Sequence, residues 1–101
     1  MVETFTHSTF AELAGTKFKL YDGSDEPSEV ELVDVSELVE TKRQEIFGIF
    51  FSIPEGRKPA QGSYRMEHEK LGSFELFLVP VVSEDGVVYE AVFNRIKKKK
   101  P

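Results

Sequence analysis

From residue 16 onward, the hydrophobic positions of the chain follow a period of two, which is typical of strands whose successive side chains point to opposite faces. The clearest run spans residues 46–53, where one face is entirely apolar: Phe47, Ile49, Phe51 and Ile53. Similar runs predict further strands over 17–21, 30–35, 60–66, 74–82 and 87–96. Short polar connections separate them, so we predict about six antiparallel strands.

A short helix is predicted before the first strand. Thr9 is the expected N-cap, with Glu12 three residues later completing a capping box, and Gly15 is placed to end the helix. Phe5 is expected to pack against Phe10 or Leu13 of this helix.

Several strands carry local irregularities. The apolar parity changes at Leu32–Val33, which predicts a β-bulge that lets both apolar pairs, Val30 with Leu32 and Val33 with Val35, face the core. Residues 36–44 have no clear period and are predicted to be irregular, whereas 83–86 form a hairpin turn. Pro80 cannot donate a ladder hydrogen bond, so it indicates an edge position or a bulge.

The run over 74–82 is apolar on both faces, which is typical of a central strand that is covered on each side. We therefore predict a mainly β (α+β) fold, in which a short helix precedes strands arranged as a meander, a curled sheet or a small barrel. Residues 1–96 are predicted to form a single β-rich domain. Residues 97–101 are predicted to be a basic, disordered tail.

Composition narrows the function classes. The 101 residues include no cysteine, which excludes disulfides, a thiolate nucleophile and cysteine-based metal sites. The first residues lack the pattern of a signal peptide, and no apolar run is long enough to span a bilayer, so we expect a soluble cytoplasmic protein. The net charge is −5, and the four lysines at 97–100 leave −9 on the rest of the chain. Such an acidic body repels phosphates, which argues against a nucleic-acid partner. We expect the partner to be a protein.

No residue pattern points to a catalytic centre or a metal site. The two histidines, His7 and His68, lack a second histidine at metal-ligand spacing, and no glycine elbow surrounds Ser63. We therefore predict no catalytic residue, no metal and no cofactor. Glu90 stands out as a carboxylate in an apolar strand. It is expected either to form a structural salt bridge with an arginine, Arg65 or Arg95, or to face outward. Both interpretations are favoured over a catalytic role for Glu90.

The second half of the chain carries distinctive motifs: Gln61-Gly62-Ser63-Tyr64, His68, Leu71-Gly72, Leu76-Phe77-Leu78-Val79-Pro80-Val81 and Tyr89-Glu90-Ala91-Val92-Phe93-Asn94-Arg95. These motifs resemble an uncharacterised bacterial family of small single-domain proteins, a domain of unknown function. The resemblance extends over roughly residues 5–96 and implies no established activity. It implies an assembly or accessory role, linked to phage-tail-like assemblies.

Six polar positions within the matched motifs form the candidate binding or structural cluster, which would join the predicted strands over 60–66 and 87–96: Gln61, Tyr64, His68, Glu90, Asn94 and Arg95. Our first hypothesis is a non-catalytic interaction or structural module. The alternative is a small-ligand-binding barrel, or a minor enzyme, with a site near Tyr64, His68, Glu90 and Arg95 at the barrel mouth.

Overall fold

The structure, a computed structural model, describes residues 5–23, 26–84 and 86–96. Within these residues, one short helix precedes seven strands: α1 (His7–Ala11), β1 (Lys17–Tyr21), β2 (Ser28–Val35), β3 (Val39–Glu40), β4 (Gln44–Ser52), β5 (Gly62–His68), β6 (Gly72–Ser83) and β7 (Gly86–Ile96). The predicted strands are confirmed, and so is the hairpin turn that ends at Gly86. The stretch over 36–44 is not wholly irregular, because it contains the two-residue β3. The predicted tail over 97–101 lies outside the described residues.

The strands form a closed barrel. All pairings are antiparallel, in the order β2-β1-β5-β6-β7-β4-β3, and a further pairing of β2 with β4 closes the ring of six strands. Closure satisfies the backbone groups that an open edge would leave unpaired. The predicted mainly β fold is thereby confirmed in its barrel form.

Two strands turn the corners of the barrel by changing partners. β6 pairs with β5 as far as Leu78 and with β7 from Val79 onward. Pro80 lies just beyond this change, where β5 no longer accompanies β6, which confirms the predicted edge position. β2 changes from β1 to β4 through a register shift between Leu32 and Asp34, which confirms the bulge. The bulge does not turn Val33 inward as predicted, because Val33 remains 44% exposed.

The barrel interior is filled with large apolar side chains. The buried strand residues are Phe18, Leu20, Val30, Leu32, Phe47, Ile49, Phe51, Met66, Phe74, Leu76, Leu78, Tyr89, Ala91 and Phe93. They occupy alternate positions, as a pleated strand requires. Aromatic rings contribute much of this interior, and the parallel rings of Phe47 and Phe93 stack with centroids 4.9 Å apart. The alternation read from the sequence therefore identifies the core.

Helix α1 closes the barrel end at which β7 ends and β6 begins. Phe10 is fully buried, and its ring centroid lies 5.2 Å from that of Phe93 and 5.7 Å from that of Phe5. The predicted contact between Phe5 and the helix is confirmed. The predicted N-cap is wrong, because Thr6 caps the helix and Thr9 occupies its third position. Each threonine side chain accepts a hydrogen bond from the backbone amide of the other, which satisfies two amides that the helix start leaves without a backbone partner.

Candidate functional site

The six predicted site residues do not lie in one place. Gln61 precedes β5 and is exposed, and Asn94 is an exposed residue of β7. None of the hydrogen bonds between described residues joins two members of the set. The other four lie in separate surroundings, so each is described with its own neighbours below.

Tyr64 takes part in a tyrosine pair at the barrel end opposite α1. Its ring centroid lies 5.8 Å from that of Tyr89, and its hydroxyl donates a hydrogen bond to the Ala60 carbonyl. The Ala60 amide in turn donates to the Tyr89 hydroxyl at 3.0 Å. Hydrogen bonding to Tyr89, together with burial, raises the pKa of Tyr64 to about 12. The Tyr64 hydroxyl thus stays protonated at neutral pH, and the two tyrosines fasten the loop before β5 to the barrel.

His68 is buried at the other end of β5. Its Nδ1 accepts a hydrogen bond from the Lys70 amide at 3.0 Å, which places the proton of the neutral ring on Nε2. Nε2 lies 3.1 Å from Thr16 Oγ1, and that hydroxyl donates to the Leu13 carbonyl at 2.7 Å. The ring packs against Phe18 with centroids 4.4 Å apart. This chain of hydrogen bonds connects the β5–β6 turn to the segment after α1.

The buried His68 predicts a stability loss in mild acid. Burial lowers the pKa of His68 from its ordinary value of 6.5. The unfolded chain therefore takes up a proton near pH 6.5, while the native chain does so only at lower pH, so the free energy of unfolding falls as the pH drops below about 6.5. Urea titrations between pH 8 and pH 5 measure this loss. His68→Gln should flatten the profile over that interval, and an unchanged profile in this variant would contradict the assignment.

A cleft of about 720 Å³ opens beside His68. Its wall is formed by side chains of both charges and some apolar groups: Glu12, Leu13, Thr16, Lys17, Phe18, Lys19, Glu29, Glu67, His68, Glu69, Lys70 and Gly72. Tyr64, Glu90 and Arg95 are not among these residues. Of the four residues of the ligand-binding alternative, only His68 therefore lines the cleft. The structure does not bring the four residues together at one mouth of the barrel.

Arg95 fastens the N-terminal segment to the barrel. Its Nη2 donates to Glu45 Oε1 at 3.2 Å across the β4–β7 pair, and its Nη1 donates to the Phe5 carbonyl at 3.0 Å. The other arginine expected near Glu90, Arg65, lies over the Tyr21 ring with its guanidinium carbon 3.9 Å from the centroid. Both arginines that were expected to pair with Glu90 therefore contact other residues.

Glu90 lies on the outside of the barrel, in a surface that is otherwise mostly apolar. We define the apolar face as the apolar outward residues of β3, β4, β7 and the second half of β6, together with Gly48 and Glu90: Val39, Ile46, Gly48, Phe50, Val79, Val81, Val88, Glu90 and Val92. The polar outward residues Ser52 and Asn94 border this face, and Asp34 of β2 pairs with Phe50 at its edge. Val39 is 56% exposed and Val92 62% exposed. No described element covers this side of β6, so the prediction that 74–82 is covered on both faces is wrong.

The outward positions of the opposite half of the barrel are mostly charged or polar, and Phe77, which is 54% exposed, is an apolar exception. We define the charged face as the charged and polar outward residues of β1, β5 and the first parts of β2 and β6: Lys17, Lys19, Tyr21, Glu29, Glu31, Ser63, Arg65, Glu67, Ser73 and Glu75. Sequence reasoning did not single out the apolar face as a site. Its signal was nevertheless present in the two-sided apolar run over 74–82 and in the valines at 88 and 92.

The described parts of the chain hold no cluster of three or more histidine or carboxylate side chains suited to a metal ion. They also hold no helix that combines the length and the apolar character needed to cross a membrane. The conspicuous features of the described surface are therefore the apolar face and the cleft beside His68.

Comparison with known proteins places the chain in a family. Residues 5–93 match the family model described as "domain of unknown function (DUF6916)". No curated protein and no solved structure matches the chain significantly. The matched range includes every strand from β1 to β6 and β7 as far as Phe93, and it confirms the resemblance inferred from the motifs over 61–95. The chain thus belongs to the DUF6916 family of domains of unknown function.

Proposed function

We propose that this chain is a non-catalytic interaction module that docks onto another protein through its apolar face. The observation that carries the proposal is the contrast between the two halves of the barrel exterior. Both halves pack their inner side chains on the same core. The outer surface of one half carries Val79, Val88 and Val92, whereas the outer surface of the other half carries alternating lysines and glutamates.

The contrast matters because the fold does not require outward apolar residues. A pleated strand needs apolar side chains only at its inward positions, and the charged face shows that this barrel tolerates charges outside. A contiguous exposed apolar patch favours association, since covering it removes apolar surface from water. The family resemblance, which implies an accessory role linked to a phage-tail-like assembly, supports a larger assembly as the setting, with this chain as its accessory component.

A capture experiment with matched variants tests the proposal. Tagged full-length chain is incubated with lysate of the organism that encodes it, in parallel with Val92→Asp on the apolar face and Lys19→Asp on the charged face. We expect the wild-type chain and Lys19→Asp to retain the same proteins, and Val92→Asp to lose them while its thermal melting stays within a few degrees. Retention of those proteins by Val92→Asp would contradict the proposal.

A second candidate function is the binding of a small ligand in the cleft beside His68. The volume of about 720 Å³ favours it, since ligand pockets commonly enclose about 300–1,000 Å³. The lining lysines and glutamates match a small zwitterion better than an apolar compound. A thermal-shift screen of metabolites tests this candidate. A dose-dependent rise in Tm that disappears in Lys17→Ala supports it, and a flat screen opposes it.

A further inference from the structure

Glu90 is the charged member of the apolar face, and its position there is central. In the cross-strand rows of the sheet, it lies between Phe50 of β4 on one side and Val79 of β6 on the other. The neighbouring positions along its own strand and face are Val88 and Val92. A covering partner would therefore enclose this carboxylate among apolar side chains.

The carboxylate lies beside a notch in the sheet surface. Gly48, opposite Val92, has no side chain, and a Cβ built there would lie 3.4 Å from Glu90 Oε2 and 3.6 Å from Phe50 Cζ. One oxygen of the carboxylate and the edge of an aromatic ring thus border the same small space. Gly48 is buried beneath them, so an incoming flat group would contact the carboxylate and the ring from outside and would not enter the notch.

No hydrogen bond or ion pair between described residues engages the Glu90 carboxylate. Arg95 contacts Glu45 and the Phe5 carbonyl, and Arg65 lies over Tyr21. Water solvates the carboxylate while the face is exposed. When a partner excludes that water, the carboxylate must gain a hydrogen-bonding cation, because an unpaired buried charge is strongly unfavourable.

On the basis of the proposed function, we infer that the partner inserts an arginine, surrounded by apolar side chains, against Glu90 and Phe50. A guanidinium is planar, donates two parallel hydrogen bonds to a carboxylate and stacks on an aromatic ring. The notch over Gly48 presents both an acceptor and a ring within one side-chain reach. A lysine would supply the positive charge, but it has neither the two parallel hydrogen-bond donors nor the planar group that stacks on an aromatic ring.

The same geometry disfavours a second copy of this chain as the partner. A symmetric dimer places the same residues of both chains on either side of a twofold axis. An axis through the middle of the apolar face would bring the two Glu90 carboxylates together while excluding their water. Like charges in such a position repel, and the face offers no cation to separate them.

Site-specific photo-cross-linking tests the inference. A photoreactive amino acid replaces Val39 at the rim of the apolar face in the full-length chain, which is irradiated in lysate of the organism that encodes it. We expect a cross-linked peptide with an arginine flanked by apolar residues, and at least about tenfold weaker binding of that partner to Glu90→Gln. The matched control Glu29→Gln, on the charged face, should bind as the wild type does. Charge exchange, with Glu90→Arg and the partner's arginine changed to glutamate, should restore binding.

The outcomes separate this inference from the proposed function. If Glu90→Gln binds as well as the wild type while Val92→Asp does not, the apolar face docks a partner, but the inferred contact between Glu90 and an arginine of that partner is refuted. A cross-link to a second copy of the chain, or to a peptide without arginine, also refutes it. If no face-dependent cross-link forms, the inference and the proposed function both fail.

Discussion

Phe10→Ala is expected to lower the free energy of unfolding by about 3–5 kcal/mol, the usual range for a fully buried phenylalanine. Phe10 is 0% exposed and packs on Phe5, Phe47 and Phe93. Helix α1 has only five residues, far too few to be stable by itself, so its burial depends on this ring. The truncation therefore leaves a cavity in the barrel and also weakens the attachment of the helix that closes its end.

Urea denaturation followed by circular dichroism measures this loss, with Phe77→Ala as the matched control. Phe77 is the same residue type on the barrel exterior and is 54% exposed, so its truncation should change stability by about 0.5 kcal/mol or less. Equal losses in the two variants would contradict the assignment of Phe10 to the core. An unchanged midpoint for Phe10→Ala would show that α1 does not close the barrel.

Arg95→Met should destabilise the chain by about 2 kcal/mol. Methionine keeps the apolar stem of the side chain but removes the donors to Glu45 and to the Phe5 carbonyl. Both the carboxylate and the carbonyl then lose a charge-assisted hydrogen bond at a partly buried position, and the N-terminal segment loses a tether to β7.

A double-mutant cycle with Glu45→Gln isolates the ion pair from the tether. We expect the effects of Arg95→Met and Glu45→Gln to be less than additive, because they remove a shared contact. Additive effects would show that Glu45 and Arg95 do not interact in solution. Wild-type stability of Arg95→Met would refute the tether itself and would return Arg95 to the set of residues available for binding.

The predicted polar cluster shows why a sequence motif by itself does not locate a site. Tyr64 and His68 are four residues apart in one strand, which separates them by about 13 Å and places them at opposite ends of the barrel. Glu90 and Arg95 are an odd number of residues apart, so the pleat directs them to opposite faces of β7. Residues that are prominent together in a sequence motif need not meet, because strand geometry separates them.

The helix start shows a different limit. Thr6 and Thr9 are both good N-cap residues, and each is followed three residues later by a side chain that can complete a capping box, Thr9 and Glu12 respectively. Local propensity does not choose between them. The choice follows from packing, because Phe10 must point between Phe5 and Phe93 into the barrel end, and a helix that begins at His7 achieves this.

By itself, the sequence determined six of the seven strands, most of their inward residues, the bulge in β2 and the turn at Gly86, since each follows from side-chain alternation or from the dihedral preferences of a few adjacent residues. Only the tertiary structure decided which strands are neighbours. Pairing of β7 with both β4 and β6 places Phe50 and Val79 on either side of Glu90. The apolar face and its carboxylate arise from that pairing, because contacts between distant segments depend on the closure of the barrel and not on any local pattern.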